Sequence, residues 1–384
     1  MHVAIVGGGV IGCSIAWHLA KRGVDKVSLL ERDRLGSGTT WHSAGNITWK
    51  PIGDNDEQVL YMFEALEELA AAEQHTGWRR TCRLFLARES ETLSVFERQA
   101  QQAIDRGFGS ELLTPADLAA HLPLISPRSI AGAWFNPLSG RANPNDLTVA
   151  YARAARQRGA HIIENCNVSE LIFNNDRVTA IETSTGDMTV DTVVVSAGLW
   201  SRPLVRSFGV TLAQMGCEHF YVIASPEPAL SRDTPSFICT DDLIYGREEV
   251  GGMLLGCFDE HAKLIDTTEL PEPFTFTLLN PDWDKFVPYY QAAMEIFPAL
   301  ENAPIKNFSN GPESFTPDGN PLIGPLPGLA GVFVCTGMNS HGITLSAAAG
   351  DIVADMVLDT TPRFAHARYA PNRFGANVAD ESWL

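Results

Sequence analysis

His2-Val3-Ala4-Ile5-Val6-Gly7-Gly8-Gly9-Val10-Ile11-Gly12 is the stretch that decides the fold. A short apolar run, strand-sized rather than helix-sized, leads straight into a glycine turn. Gly7 permits the sharp bend, Gly9 lets backbone approach a pyrophosphate, and Gly12 lets the next helix pack closely on the strand. That helix is expected from Cys13 to Arg22, with Ile15, Trp17, Leu19 and Ala20 packing inward and Gly23 ending it at positive φ. Lys26 to Glu31 reads as the second strand of a right-handed βαβ unit. Glu31 stands about 20 residues on from the turn, where a carboxylate accepts from ribose hydroxyls and disfavours a 2′-phosphate. The pattern predicts a dinucleotide whose phosphates meet a helix N-terminus, with Val10 and Ile11 at that end. It disfavours NADP and does not separate NAD from FAD.

Outward from this unit, a glycine-rich loop around Gly36 to Thr40 precedes a helix expected from Glu57 to Gln74, where Val59, Leu60, Phe63, Leu66 and Leu69 recur at helical spacing. A helix over Asn145–Arg158 and strands at Ile162-Ile163 and Thr192–Ser196 continue the α/β alternation. Between Met215 and Asp259 the pattern becomes β-rich, with strands at Phe220–Ile223 and Leu243–Tyr245 and a hairpin turn at Gly251-Gly252 leading into Met253–Leu255. A short helix is expected at Gln291–Phe297, a strand at Val332–Val334 and a helix at Ile343–Leu358. The alternation predicts an α/β, Rossmann-type nucleotide-binding domain in three pieces, 1–85, 140–214 and 308–384. An α+β substrate domain with a mixed or antiparallel sheet, 86–139 and 215–307, is inserted into it.

The 384 residues carry a net charge of −18, which argues against nucleic acid or an anionic membrane as partner. Apolar residues make up 45% and charged residues 19%, ordinary for a globular enzyme. Seven scattered cysteines without a CxxC pair suit reduced thiols, and no metal site is expected. No run approaches the roughly 18 apolar residues that span a bilayer, and the chain reads as a strand from its second residue. A cytoplasmic protein without a leader is therefore expected.

Further strings carry a resemblance. Glu31-Arg32-Asp33 followed by Gly36-Ser37-Gly38-Thr39-Thr40-Trp41-His42-Ser43-Ala44-Gly45 resembles the flavin-contacting loop of the D-amino-acid-oxidase-like superfamily, closest to its dimethylglycine and sarcosine dehydrogenase branch. The similarity recurs at Asn143-Pro144-Asn145-Asp146-Leu147, Ser196-Ala197-Gly198-Leu199-Trp200 and Gly311-Pro312-Glu313-Ser314-Phe315-Thr316-Pro317-Asp318-Gly319. It recurs again at Gly337-Met338-Asn339-Ser340-His341-Gly342-Ile343 and Pro371-Asn372-Arg373-Phe374-Gly375.

The resemblance implies FAD, a glutathione-reductase-like nucleotide domain, and oxidation of a small N-methylated amine or amino acid. Hydride passes from the carbon next to nitrogen to the flavin, and the resulting imine hydrolyses to the demethylated amine and formaldehyde. It places Arg32, Gly38, Thr39, Thr40, Trp41, His42, Ala44, Gly45, Val168, Ala197, Gly198, Trp200, Gly324, Gly337, Asn339, Ser340, His341, Gly342 and Ile343 at the cofactor, beside the glycine turn and Glu31. The helix following Gly342 would present its positive end to the reduced ring. His42 stands where branch members carry a covalent bond to the flavin 8α-methyl. Related branches bind FAD without that bond, so covalent attachment and simple packing both remain open.

On the substrate side, His219 and Tyr245 match histidine and tyrosine positions expected to orient or deprotonate the amine. Either is equally read as a structural core residue. A carboxylated substrate needs a cation, for which Lys50 and Arg247 are the candidates. Oxygen or an electron-transfer protein is the expected acceptor. Mammalian-type members continue into a folate-binding domain beyond the Pro-Asn-Arg string, and without it formaldehyde is expected to be released. Rival expectations are a flavin enzyme of the same fold acting on a primary amino acid or 2-hydroxy acid, and a non-catalytic regulatory subunit.

Overall fold

The computed structural model describes residues 1–51, 55–267, 270, 274–275 and 279–375. His2–Val6 lies near the middle of a six-stranded sheet, flanked by Thr192–Val195 on one side and Lys26–Leu30 on the other, all parallel. His161–Ile163 extends the parallel sheet at one edge; Val332–Thr336 extends it at the other and bears the antiparallel edge strand Leu322–Pro325. Near-continuous valine, isoleucine and leucine in these strands is what burial on both faces demands. One face is covered by the helices Val10–Lys21, Pro144–Arg156 and Gly342–Leu358. Their approach is close: a Cβ on Gly350 would stand 2.4 Å from Ser14 Oγ. The other face carries a three-stranded antiparallel sheet, Val168–Asn174, Arg177–Thr183 and Met188–Thr189, whose Val168, Leu171, Val178 and Ile181 pack on Val6, Val193 and Val195.

A second sheet has eight strands in the order Ile305–Asn310, Phe220–Ala224, Gly252–Cys257, Ile244–Glu249, Ser236–Cys239, Arg83–Ala87, Gly132–Asn136 and Glu111–Leu113. All its pairs are antiparallel except Ser236–Cys239 with Arg83–Ala87. One face buries Leu84, Phe220, Val222, Phe237 and Leu255 against Phe286, Ile296 and Phe297. On the other face Phe85, Ile238 and Tyr245 stand in register on three adjacent strands.

Most expected elements are present within a residue or two. The helix expected at Gln291–Phe297 is longer, running Trp283–Ile296 with Pro288 inside it. Proline in a helix interior costs a backbone hydrogen bond, but the Asp282 side chain accepts from Lys285 N at 3.1 Å and starts the helix upstream of it. The strand Arg83–Ala87 spans the 85/86 position and Ile305–Asn310 spans 307/308, so the eight-stranded sheet takes residues from both sides of these expected domain limits. Residues 376–384 of the last expected piece lie outside the described residues.

Candidate active site

The glycine turn opens a cavity of about 590 Å³, within the range of cofactor sites. Gly7, Gly9, Val10 and Ile11 line its floor. Gly7 adopts φ +109, and a Cβ there would stand 2.5 Å from Ser196 O, so only glycine fits this bend. Gly12 lies beneath the turn rather than on the cavity, with an added Cβ 1.9 Å from Gly7 O. Its role is the close helix–strand contact. Glu31 lines the cavity with its carboxylate anchored, accepting from Gly8 N at 2.6 Å and Asp33 N at 2.9 Å. Burial raises its pKa, and those amides oppose the rise.

Of the loop residues, Arg32, Gly38, Thr39 and Thr40 line this cavity, and Thr40 Oγ1 accepts from Val10 N at 3.2 Å. Ala197, Gly198 and Trp200, which follow the parallel strand Thr192–Val195, and Val168, from the three-stranded antiparallel sheet, form a wall, with the Arg32 guanidinium 4.0 Å from the Trp200 ring centre. Gly337, Asn339, Ser340, Gly342 and Ile343 close the far end. There the helix Gly342–Leu358 begins without a side-chain cap, its positive end at the cavity. Asn339 and Ser340 hold φ 47 and 63, left-handed values that a non-glycine residue keeps only when its surroundings enforce them. The Asn339 amide does so, accepting from Thr316 N at 2.9 Å and donating to Gly337 O at 2.6 Å.

Other expected cofactor contacts are placed elsewhere. Trp41 is exposed and off the cavity. His42 is buried, its ring packed so closely on the neighbouring backbone that a Cβ on Gly311 would stand 2.1 Å from Nδ1. Burial takes its pKa down to about 3, so the imidazole is neutral. Gly324 faces Pro371 instead of the cleft, because its strand is the sheet edge over which the chain folds back. Ala44, Gly45 and His341 line a second cavity.

That second cavity, about 320 Å³, adjoins the first; Ser43, Glu313, Ser340 and Ile343 line both. Its floor is the register row Phe85, Ile238 and Tyr245. Opposite Tyr245 stands Gly256, where a Cβ would come within 2.2 Å of the tyrosine ring. Glycine there lets the ring lie across the sheet. His219 Nε2 and the Tyr245 hydroxyl are 2.8 Å apart, their rings near parallel. Burial, then the charge of Glu313, keeps the Tyr245 pKa well above its ordinary value, so the hydroxyl stays protonated. The expected pair is thus brought together in the wall of a cavity.

Lys50 also lines it, its Nζ 5.0 Å from the Phe85 ring centre. Burial, then the neighbouring Arg83, lowers its pKa. Arg247 is a correction: it does not line the cavity. It is 8% exposed, donates from Nε to Ala44 O at 2.5 Å, and pairs with Glu249. The alternation that puts it on the Tyr245 face also carries it one step along the strand, under the Ala44 loop. The cation the sequence reading missed is Arg83. It is 6% exposed, lines the cavity, donates to Thr48 Oγ1 at 2.6 Å, and is drawn down to about 10 by burial. Among the described residues, neither Lys50 nor Arg83 pairs with a carboxylate. A charged residue opening the apolar run Leu84-Phe85-Leu86-Ala87 was the available signal. Glu313, inside a quoted string, was also passed over as a site residue.

The profile of the FAD dependent oxidoreductase (DAO) family matches residues 2–356. The chain belongs to this family. FAD is the family's cofactor, and the glycine floor, anchored Glu31 and uncapped helix end of the larger cavity suit its diphosphate and ring. Mouse mitochondrial sarcosine dehydrogenase is 32% identical over all of this chain and 42% of its own length. The formaldehyde-forming 4-methylaminobutanoate oxidase of Paenarthrobacter nicotinovorans is 31% identical, over all of this chain and 47% of its own length. The chain therefore spans less than half of either relative. The crystal structure of L-proline dehydrogenase from P. horikoshii superposes with a TM-score of 0.85 at 25% identity, covering 97% of each chain. No described helix is long and apolar enough to cross a membrane.

Proposed function

We propose that the chain oxidises a small N-methylated amino acid, releasing the demethylated amine and formaldehyde. The observation that carries this reading is the second cavity, lined by a buried arginine, Arg83, and a half-buried lysine, Lys50, neither with a carboxylate partner among the described residues. A buried unpaired cation is costly, and a substrate carboxylate offsets that cost at Arg83 and Lys50. Bound FAD supplies the hydride acceptor. The protein's part is to hold the carboxylate, bring the amine to the shared wall of the two cavities, and exclude water with Phe85, Ile238 and Phe258. Tyr245, kept protonated, is a hydrogen-bond donor rather than a base, and His219 fixes its orientation.

Covalent attachment through His42 belongs to the same proposal. Neutral imidazole is the form that can bond to carbon, and Thr40 and Ser43 on either side of His42 line the flavin cavity. The ring would have to swing off Gly311 to reach it. Acid precipitation of purified protein tests this: yellow colour in the pellet, lost in His42→Ala, supports the bond, and colour in the supernatant refutes it.

The function itself is tested by anaerobic bleaching of the flavin with sarcosine, dimethylglycine, 4-methylaminobutanoate, glycine, proline and a 2-hydroxy acid, with formaldehyde measured after turnover. Bleaching by the N-methyl compounds with stoichiometric formaldehyde is expected. Bleaching confined to primary amino acids or the hydroxy acid would replace the substrate assignment, and purified protein without flavin would revive the non-catalytic reading. Oxygen uptake compared with dye reduction reports the acceptor.

A further inference from the structure

Ser43, Glu313, Ser340 and Ile343 line both cavities, and Glu313 is the charged member of that set. It opens the short strand Glu313–Phe315, whose pairing with Met215–Cys217 fixes its backbone. Its carboxylate accepts from the Ser340 hydroxyl, and Ser340 is one of the two residues held left-handed by the Asn339 amide network. Among the described residues, no cation pairs with it. The other carboxylate on the second cavity, Asp56, is already paired with Arg106. The cations of that cavity, Lys50 and Arg83, belong to the loop after Ile47 and to the strand Arg83–Ala87, away from the shared wall. The second cavity is therefore electrically polar, negative where it meets the flavin cavity and positive on its other side.

That polarity matches a zwitterion in one orientation. Building on the function proposed above, we propose that Glu313 is the residue that recognises the positive charge of the substrate's amine, setting it at the junction of the two cavities while Lys50 and Arg83 take the carboxylate. Tyr245 and His219 cannot supply that charge: the phenol stays protonated and shares its hydrogen bond with the imidazole. A carboxylate facing an alkylammonium in a water-poor cleft discriminates against a neutral ligand of the same shape. Glu313 is thus a specificity-determining residue that admits cationic amines and rejects neutral analogues, 2-hydroxy acids included.

The test uses two ligands of one shape that differ in charge and cannot be oxidised. Trimethylammonioacetate has a quaternary nitrogen with no lone pair; 3,3-dimethylbutanoate replaces that nitrogen by carbon. Each is titrated calorimetrically into the flavin-loaded protein, which reads binding without turnover. Wild type is expected to bind the ammonium compound at least about tenfold more tightly. Glu313→Gln is expected to bring the ratio close to one, mainly by weakening the ammonium compound. If Glu313→Gln does not hold flavin, Glu313→Asp takes its place and lowers the ratio while leaving the neutral ligand's affinity alone. A wild-type ratio of one or less, binding of neither ligand, or a ratio that the substitution leaves unchanged overturns the inference. Flavin bleaching by N-methyl amino acids is measured on the same wild-type preparation. Discrimination without bleaching by any amine sinks the proposed function and leaves Glu313 standing; bleaching without discrimination does the reverse.

Discussion

The two adjoining cavities are built from different materials. The larger is largely a backbone construction: a glycine turn, a helix end and a left-handed loop, drawn from segments that are each contiguous in sequence. The smaller is a side-chain construction, in which Lys50, Arg83, His219, Tyr245 and Glu313 come from five separate segments, two of them loops and three of them strands of two different sheets. Backbone sites tolerate almost no added volume, whereas side-chain sites tolerate volume and respond to charge. The contrast is open to direct attack.

The largest effect is expected at Gly12→Ala. Its methyl would stand 1.9 Å from Gly7 O, and since backbone must move, a loss above about 3 kcal/mol is expected. Thermal unfolding and the flavin content of purified protein check it; a yellow, normally stable variant would break the contrast. Next comes Arg83→Met, which removes the guanidinium without leaving a buried carboxylate unpaired. Affinity for a carboxylate ligand is expected to fall about 10- to 100-fold, with flavin content unchanged and the melting temperature equal or higher. Loss of flavin together with ligand would show that the cavities are not separable.

How far each cavity could be read from sequence follows the same division. The turn, Glu31 and the approach of Gly342 were legible because their meaning is local, each a short string that dictates its own backbone. Arg83 was not legible, since its side chain becomes significant only when Arg83–Ala87 pairs in parallel with Ser236–Cys239. Arg247 misled for the complementary reason: proximity to Tyr245 in sequence suggested a shared task, and only the three-dimensional path of the Ala44 loop reveals the different one. His42 shows an intermediate case: Gly38, Thr39, Thr40 and Ser43 of its loop line the larger cavity, while its own ring rests on Gly311.

A smaller effect concerns pH. Lys50 is held below its ordinary value by burial and by Arg83, so it loses its charge earlier than a free lysine as pH rises. Carboxylate affinity is expected to decline on that alkaline side, below the usual lysine range, and Lys50→Met is expected to lack the decline. A pH titration of ligand binding on both proteins checks it.

The smallest effect lies behind the glycine turn. Burial takes His18 from 6.5 down to about 3. The native imidazole is neutral and takes up a proton only on unfolding, so its contribution is complete above 6.5 and lost as pH falls toward 3. Melting temperature measured between pH 7.5 and 5 is expected to drop more steeply in wild type than in His18→Gln; equal slopes would remove His18 from the account.

Arg247, which binds no ligand in this scheme, latches the eight-stranded sheet to the carbonyl of Ala44, one residue from the Ser43 that both cavities share. For anyone diversifying the substrate range, that latch sorts positions in advance. Changes at Ile238 or Phe258 end in the cavity and can be accepted one at a time, whereas Phe85 also stacks on Trp134 in the core. Changes that shift the strand Ile244–Glu249 pull on the cofactor loop, so variants there should be screened first by colour and only then by new activity.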